Sequence, residues 1–259
     1  MKKSIALLLS VAAVSACGGS DSSGEQSVSV DATPIRLFSD ASGVARLVAV
    51  SNGEVTTGYV ITPELTAVLA EIESTSEVTP FDIESLSIVD TGPNTNIRSG
   101  AISVEGSVLN VLAATTTDED AALVLFEEPS SGLTFLVTEG YQATNIPSGT
   151  ASYSGVLGLQ NILFDAEPEL GTFTATAGFD ASPSITLTGS TTSYTVNGTA
   201  SISGSSFSSN SMTINDGSGP TGASMNGDFH GSGANSVAGV IYSNDASGEF
   251  RGGFVGSQD

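Results

Sequence analysis

Tryptophan is absent from these 259 residues, cysteine and histidine occur once each, and lysine stands only at positions 2 and 3. Each scarcity excludes something. A single cysteine, Cys17, rules out a disulfide within the chain, so stability rests on core burial alone. One histidine and one cysteine cannot make an ordinary zinc site, so no metal centre of that kind is expected. A serine nucleophile would have only His230 to serve as its base, and no G-x-S-x-G elbow surrounds any serine, so no catalytic residue is assigned and no enzyme is expected. Cations are nearly missing: 6 Lys and Arg face 28 Asp and Glu, a net charge of −22. Such a chain repels nucleic acid and anionic headgroups, and neither is a partner. Two sources fit the charge, a solubilising, salt-adapted exterior or attraction to basic partners and cations.

The N-terminus is informative by what it holds. Lys2 and Lys3 precede an apolar run from Ile5 to Val14, too short for a permanent bilayer span, and Val14-Ser15-Ala16-Cys17 fits a bacterial lipobox. Residues 1–16 read as a removed signal peptide and Cys17 as the lipidated first residue of the mature chain. A diacylglyceryl group with an amide-linked acyl chain exceeds what stable anchoring requires. Gly18, not Asp, follows Cys17, and the outer membrane is the expected destination. Removal of the signal leaves four arginines against 28 acidic residues, a net charge of −24.

Residues 17–33, rich in Gly, Ser and Asp, read as a flexible tether. Residues 34–146 form a strand-rich module with one short helix. Strands are expected at Ile35–Phe38, Ala45–Val50, Thr57–Ile61, Ser85–Val89, Gly100–Val104, Ser107–Ala113, Ala121–Phe126 and Thr134–Thr138, with an Asn52-Gly53 turn. The helix begins at the Thr62 cap with Pro63 in its first turn, carries Leu65, Val68, Leu69 and Ile72 on one face, and ends near Ser74–Ser76. After a connector at Tyr141–Ser148, charge thins out and Gly, Ser and Thr dominate. Residues 147–259 give eight candidate strands at Ala151–Leu157, Gly171–Asp180, Ser184–Gly189, Ser193–Ser203, Phe207–Asn215, Gly222–His230, Ser236–Ser243 and Glu249–Val255. Phe173, Ala175, Ala177 and Phe179 share one face of the second and Thr172, Thr174 and Thr176 the other, which suits a small closed barrel. The fold class is therefore mainly β: a strand-rich module with one helix, then an eight-stranded antiparallel up-and-down barrel. A transmembrane barrel is rejected, because the outward faces are mostly Ser and Thr.

The last three strands carry the most specific wording. Gly227–Gly231 reads G-x-F-x-G, followed by Ala234, Val237-Ala238-Gly239-Val240, a second G-x-F at Gly248–Phe250, and Gly252-Gly253-Phe254-Val255-Gly256. All three runs are expected to be half-buried strands. This wording resembles the closing strands of transferrin-binding protein B-like surface lipoproteins, over roughly Thr150 to Gly256. The resemblance implies a handle domain (34–146) ahead of a barrel (147–259), and display at the bacterial cell surface. It also implies a receptor component that binds a solute or a soluble protein, such as an iron or haem protein, often for delivery to an outer-membrane transporter. Receptors for transferrin in this family have two handle–barrel lobes, and this chain has length for one. The alternative is a structural or envelope-protective lipoprotein with no specific ligand, and a further reading is a hydrolase of envelope material.

No protein cofactor is expected, and Cys17 is the one site residue assigned. His230 has two readings: a haem ligand with a tyrosine such as Tyr242, or a solvent-facing residue at a strand end. Asp118-Glu119-Asp120, Asn215-Asp216-Gly217 and Asn244-Asp245 offer oxygen ligands, yet none fits an EF-hand loop and each also reads as a turn former. Asn197-Gly198-Thr199 matches a glycosylation acceptor, a modification uncommon in a bacterial lipoprotein.

Overall fold

The computed structural model describes residues 44–51, 54–61, 83, 86–104, 107–128, 133–161, 168–244 and 250–259. Cys17, the signal peptide, the tether, the Ile35–Phe38 strand, the Asn52-Gly53 turn and the helix from Thr62 lie outside these residues. The described residues hold fifteen strands and no α-helix, and they separate into one open sheet and one closed barrel.

The sheet is antiparallel and contains β1 (Val44–Ser51), β2 (Glu54–Ile61), β3 (Ser87–Gly92), β4 (Thr95–Val104), β5 (Ser107–Thr116), β6 (Ala121–Glu128) and β7 (Leu133–Gly140). Its spatial order is β2-β1-β7-β6-β5-β4-β3, so β2 and β3 are its edges. A bulge between Ile88 and Asp90 interrupts the β3 edge, which shortens the flat run of backbone available for further pairing.

The barrel closes through β8 (Thr150–Asn161), β9 (Glu169–Gly178), β10 (Ser184–Ser190), β11 (Thr195–Ser203), β12 (Ser206–Asn215), β13 (Pro220–His230), β14 (Ser236–Ser243) and β15 (Phe250–Gln258). All eight expected strands are present, and β15 meets β8 to seal the cylinder. Register shifts between Asn197 and Ser201 and between Ser209 and Met212 bend β11 and β12, an irregularity that alternation alone does not reveal.

Inward positions follow the period of two except on β12, where the register shift between Ser209 and Met212 moves the inward set from Phe207 to Met212 and Ile214. Phe173, Ala175 and Ala177 on β9, Ile185 and Leu187 on β10, Phe207, Met212 and Ile214 on β12, and Phe229, Val237, Phe250 and Phe254 from the closing strands form one buried cluster. Edge-to-face contacts lock it, with Phe173–Phe254 centroids 5.1 Å apart and Phe207–Phe229 centroids 5.2 Å apart. Alanines between the phenylalanines make the room those rings need.

The outer wall has two kinds of surface. On β9 and β10, Thr172, Thr174, Thr176, Thr186 and Thr188 face solvent. Threonine satisfies the β preference of an exposed strand and offers no apolar band to lipid. On the other side, the sheet covers the barrel. Ile97, Ala114, Ala121, Leu123 and Leu136 of the sheet pack on Val156, Ala238, Val240 and Val255 of the barrel as a second buried cluster.

That contact corrects one expectation. The runs read as three half-buried strands are mostly buried on both faces: β14 is buried at seven of its eight positions and β15 at eight of nine. The sequence signal is the adjacent apolar pairs Val237-Ala238, Val240-Ile241 and Phe254-Val255, which a strand with one wet face does not need. Glycine lets the layers approach. A Cβ on Gly253 would lie 2.5 Å from Leu123 Cδ1 and 2.9 Å from Leu136 Cδ2.

Candidate binding surfaces at the barrel and the sheet–barrel seam

A barrel of this size can hold a solute in its lumen or fill the lumen with its own side chains. Here it is filled. Tyr153, Phe207, Phe229, Phe250 and Phe254 are each no more than 1 % exposed. Near the mouth Tyr153 Oη donates to the Ala234 carbonyl at 2.8 Å, and burial pushes its phenol well above the usual range. Ala234 adopts a left-handed conformation, φ 57°, that turns this carbonyl inward.

The seam between sheet and barrel differs at its two ends. At one end polar groups tie the layers together. The β5–β6 turn places Asp118 so that Ser236 Oγ donates to Oδ1 at 3.2 Å and to Oδ2 at 3.3 Å. Tyr141 N donates to Asp120 O at 2.9 Å, and Gly231 N donates to Tyr141 O at 2.8 Å. Asn94 Nδ2 donates to Ser154 Oγ at 3.1 Å, and Ser154 Oγ donates to Asp259 Oδ1 at 2.5 Å. Burial, then the adjacent Asp118 charge and a hydrogen bond to it, raises the Asp120 carboxyl above the ordinary carboxylate range.

At the far end the seam is apolar. Leu112, Leu125 and Leu136 of the sheet and Gly158, Pro168 and Leu170 of the barrel wall a cavity of about 30 Å3, with Arg251 and Gln160 beside it. Leu170 is 38 % exposed and opens this recess to solvent. Arg251 pairs across the strands with Gln160. Its Nε donates to Gln160 Oε1 at 2.8 Å and its Nη2 donates to the same oxygen. Burial lowers the guanidinium to about 10. In sequence Arg251 was only one of four arginines, and nothing but its place between Phe250 and Gly252 hinted at burial.

The structure corrects the reading of His230 as solvent-facing: it is 1 % exposed. Its position points away from the lumen, as period two requires, but that outer face lies under the end of β7 and pairs through a bridge with Gln142. It does not join Tyr242 at an iron site. His230 stands opposite Ser236 and Tyr242 opposite Ser224, six residues apart along β13 and so about 20 Å at the usual strand rise. Tyr242 Oη instead accepts from Asn226 Nδ2 at 3.0 Å.

Among the described residues several Asn, Asp and Glu side chains hold turns. Asn215 Oδ1 accepts from Gly217 N and Asp216 Oδ1 from Ser218 N, each at 2.8 Å. Hydrogen bonds from Ser218 keep the Asp216 carboxyl below its usual range, and those from Ser193 do the same for Glu169. Asp180 Oδ1 accepts from Gly149 N at 3.1 Å. Asn244 joins Ser224 and, through Nδ2, the Asn210 carbonyl at 3.1 Å. Asp245 and Cys17 lie outside the described residues. Among the described residues no three His, Cys, Asp or Glu side chains converge on one point. Asn197 lies on the solvent wall, within β11.

No protein-family model and no curated protein matches the chain. Solved structures do. An intact transferrin-binding protein B with N and C lobes aligns with 14 % identity over 83 % of this chain and 46 % of its own, at a TM-score of 0.50. A double mutant of the Haemophilus parasuis Hp5 protein, described as a vaccine antigen, gives 15 % identity over 83 % and 44 %, at 0.52. The isotype 1 protein from serogroup B Neisseria meningitidis gives 11 % over 83 % and 44 %, at 0.53. The chain thus has the fold of transferrin-binding protein B structures and spans less than half their length. The resemblance read from Gly222–Gly256 holds at the level of fold.

Proposed function

We propose that this chain is a lipid-anchored lipoprotein of the bacterial outer membrane, displayed on the cell surface, that binds a soluble protein partner on its outer faces. Residues 1–16 are the signal peptide, Cys17 the lipid anchor and 17–33 the tether. Residues 34–146 form the handle, and 147–259 the barrel. An iron or haem protein is the partner class that the likeness to transferrin-binding protein B favours, with onward delivery to an outer-membrane transporter. The protein is a binding component and not an enzyme.

One observation carries the choice of a macromolecule over a small solute: the barrel lumen is filled by its own aromatic side chains. A small-molecule carrier needs a preformed concave chamber, so recognition falls to loops and outer faces. Among the described residues, the threonine wall and the far end of the seam are surfaces that a partner could reach.

Protease shaving of intact cells tests the display. Release of the barrel from intact cells supports this reading. A chain that survives shaving and is cut only after the outer membrane is opened contradicts it.

The alternative, an envelope-protective lipoprotein without a ligand, draws support from the acidic loops. Asp180, Glu169 and Asp216 are each engaged in holding a turn, which accounts for part of the charge without a partner.

A further inference from the structure

We draw no further inference here: the strongest candidate, the apolar recess at the far end of the sheet–barrel seam beside Leu112, Leu125 and Leu170, carries nothing because the structure does not show what covers it.

Discussion

The imidazole of His230 occupies the space that a side chain on Gly140 would need. A Cβ built on Gly140 would lie 2.5 Å from His230 Nδ1 and 2.5 Å from the Asp120 carbonyl. The sheet's last residue before the connector therefore touches the barrel with bare backbone. Gly140→Ala must push the β5–β6 turn or His230 away, at a cost of about 1–3 kcal/mol. Gly178→Ala is the control, because a Cβ there meets nothing within 4 Å; its effect should stay within about 0.5 kcal/mol. Urea denaturation of both variants against the wild type checks the difference.

Asp120 gives a pH signature. Its folded-state carboxyl binds a proton more tightly than the unfolded chain does. Its contribution is therefore greatest below the unfolded value of 3.8 and is lost as pH rises through the higher folded value. Asp120→Asn removes that loss. The variant should be more stable than the wild type at pH 7, with the advantage shrinking as pH falls toward 4. Thermal melts across that range read the difference, and an advantage that grows toward acid would contradict the assignment.

The hydrogen bond from Tyr153 to Ala234 is separable from the packing of the ring. Tyr153→Phe keeps the contact with Phe229, whose centroid lies 5.8 Å away. It leaves the buried Ala234 carbonyl without its phenol donor, a loss of about 1–3 kcal/mol. The check is the urea midpoint at unchanged slope, since a changed slope would mean that the barrel had reorganised.

The barrel was legible in the sequence because its inner face alternates on every strand but β12 and its turns fall at regular intervals. Phe173-Thr174-Ala175-Thr176-Ala177 is such a pattern, and all eight strands followed from readings of this kind. The seam was not legible, because a strand covered on both faces loses the alternation that identifies it. Val240 and Ile241 point to opposite sides, and both are buried. His230 misled for the same reason: a polar residue on the outer face of a barrel reads as wet until the sheet above it is known. Arg251 is a similar case, with a charge that sequence statistics place at the surface and that Gln160 instead meets in the interior.

Anchoring depends on Cys17 in this account. Cys17→Ser should leave the signal peptide uncleaved at the lipobox and the chain without acyl groups. The measurement is the mass of the purified protein together with its partition into detergent. A variant that is still processed and still membrane-bound would show that anchoring does not run through this cysteine.

The central claim is that the outer faces of this chain bind a soluble protein and that its filled barrel takes up no small ligand. The most direct measurement presents the immobilised full-length mature chain with a panel of purified iron-loaded and haem proteins and, separately, with free haem. The account predicts saturable retention of at least one protein and no stoichiometric uptake of free haem. Stoichiometric binding of free haem, or no protein retained across the panel, would contradict it.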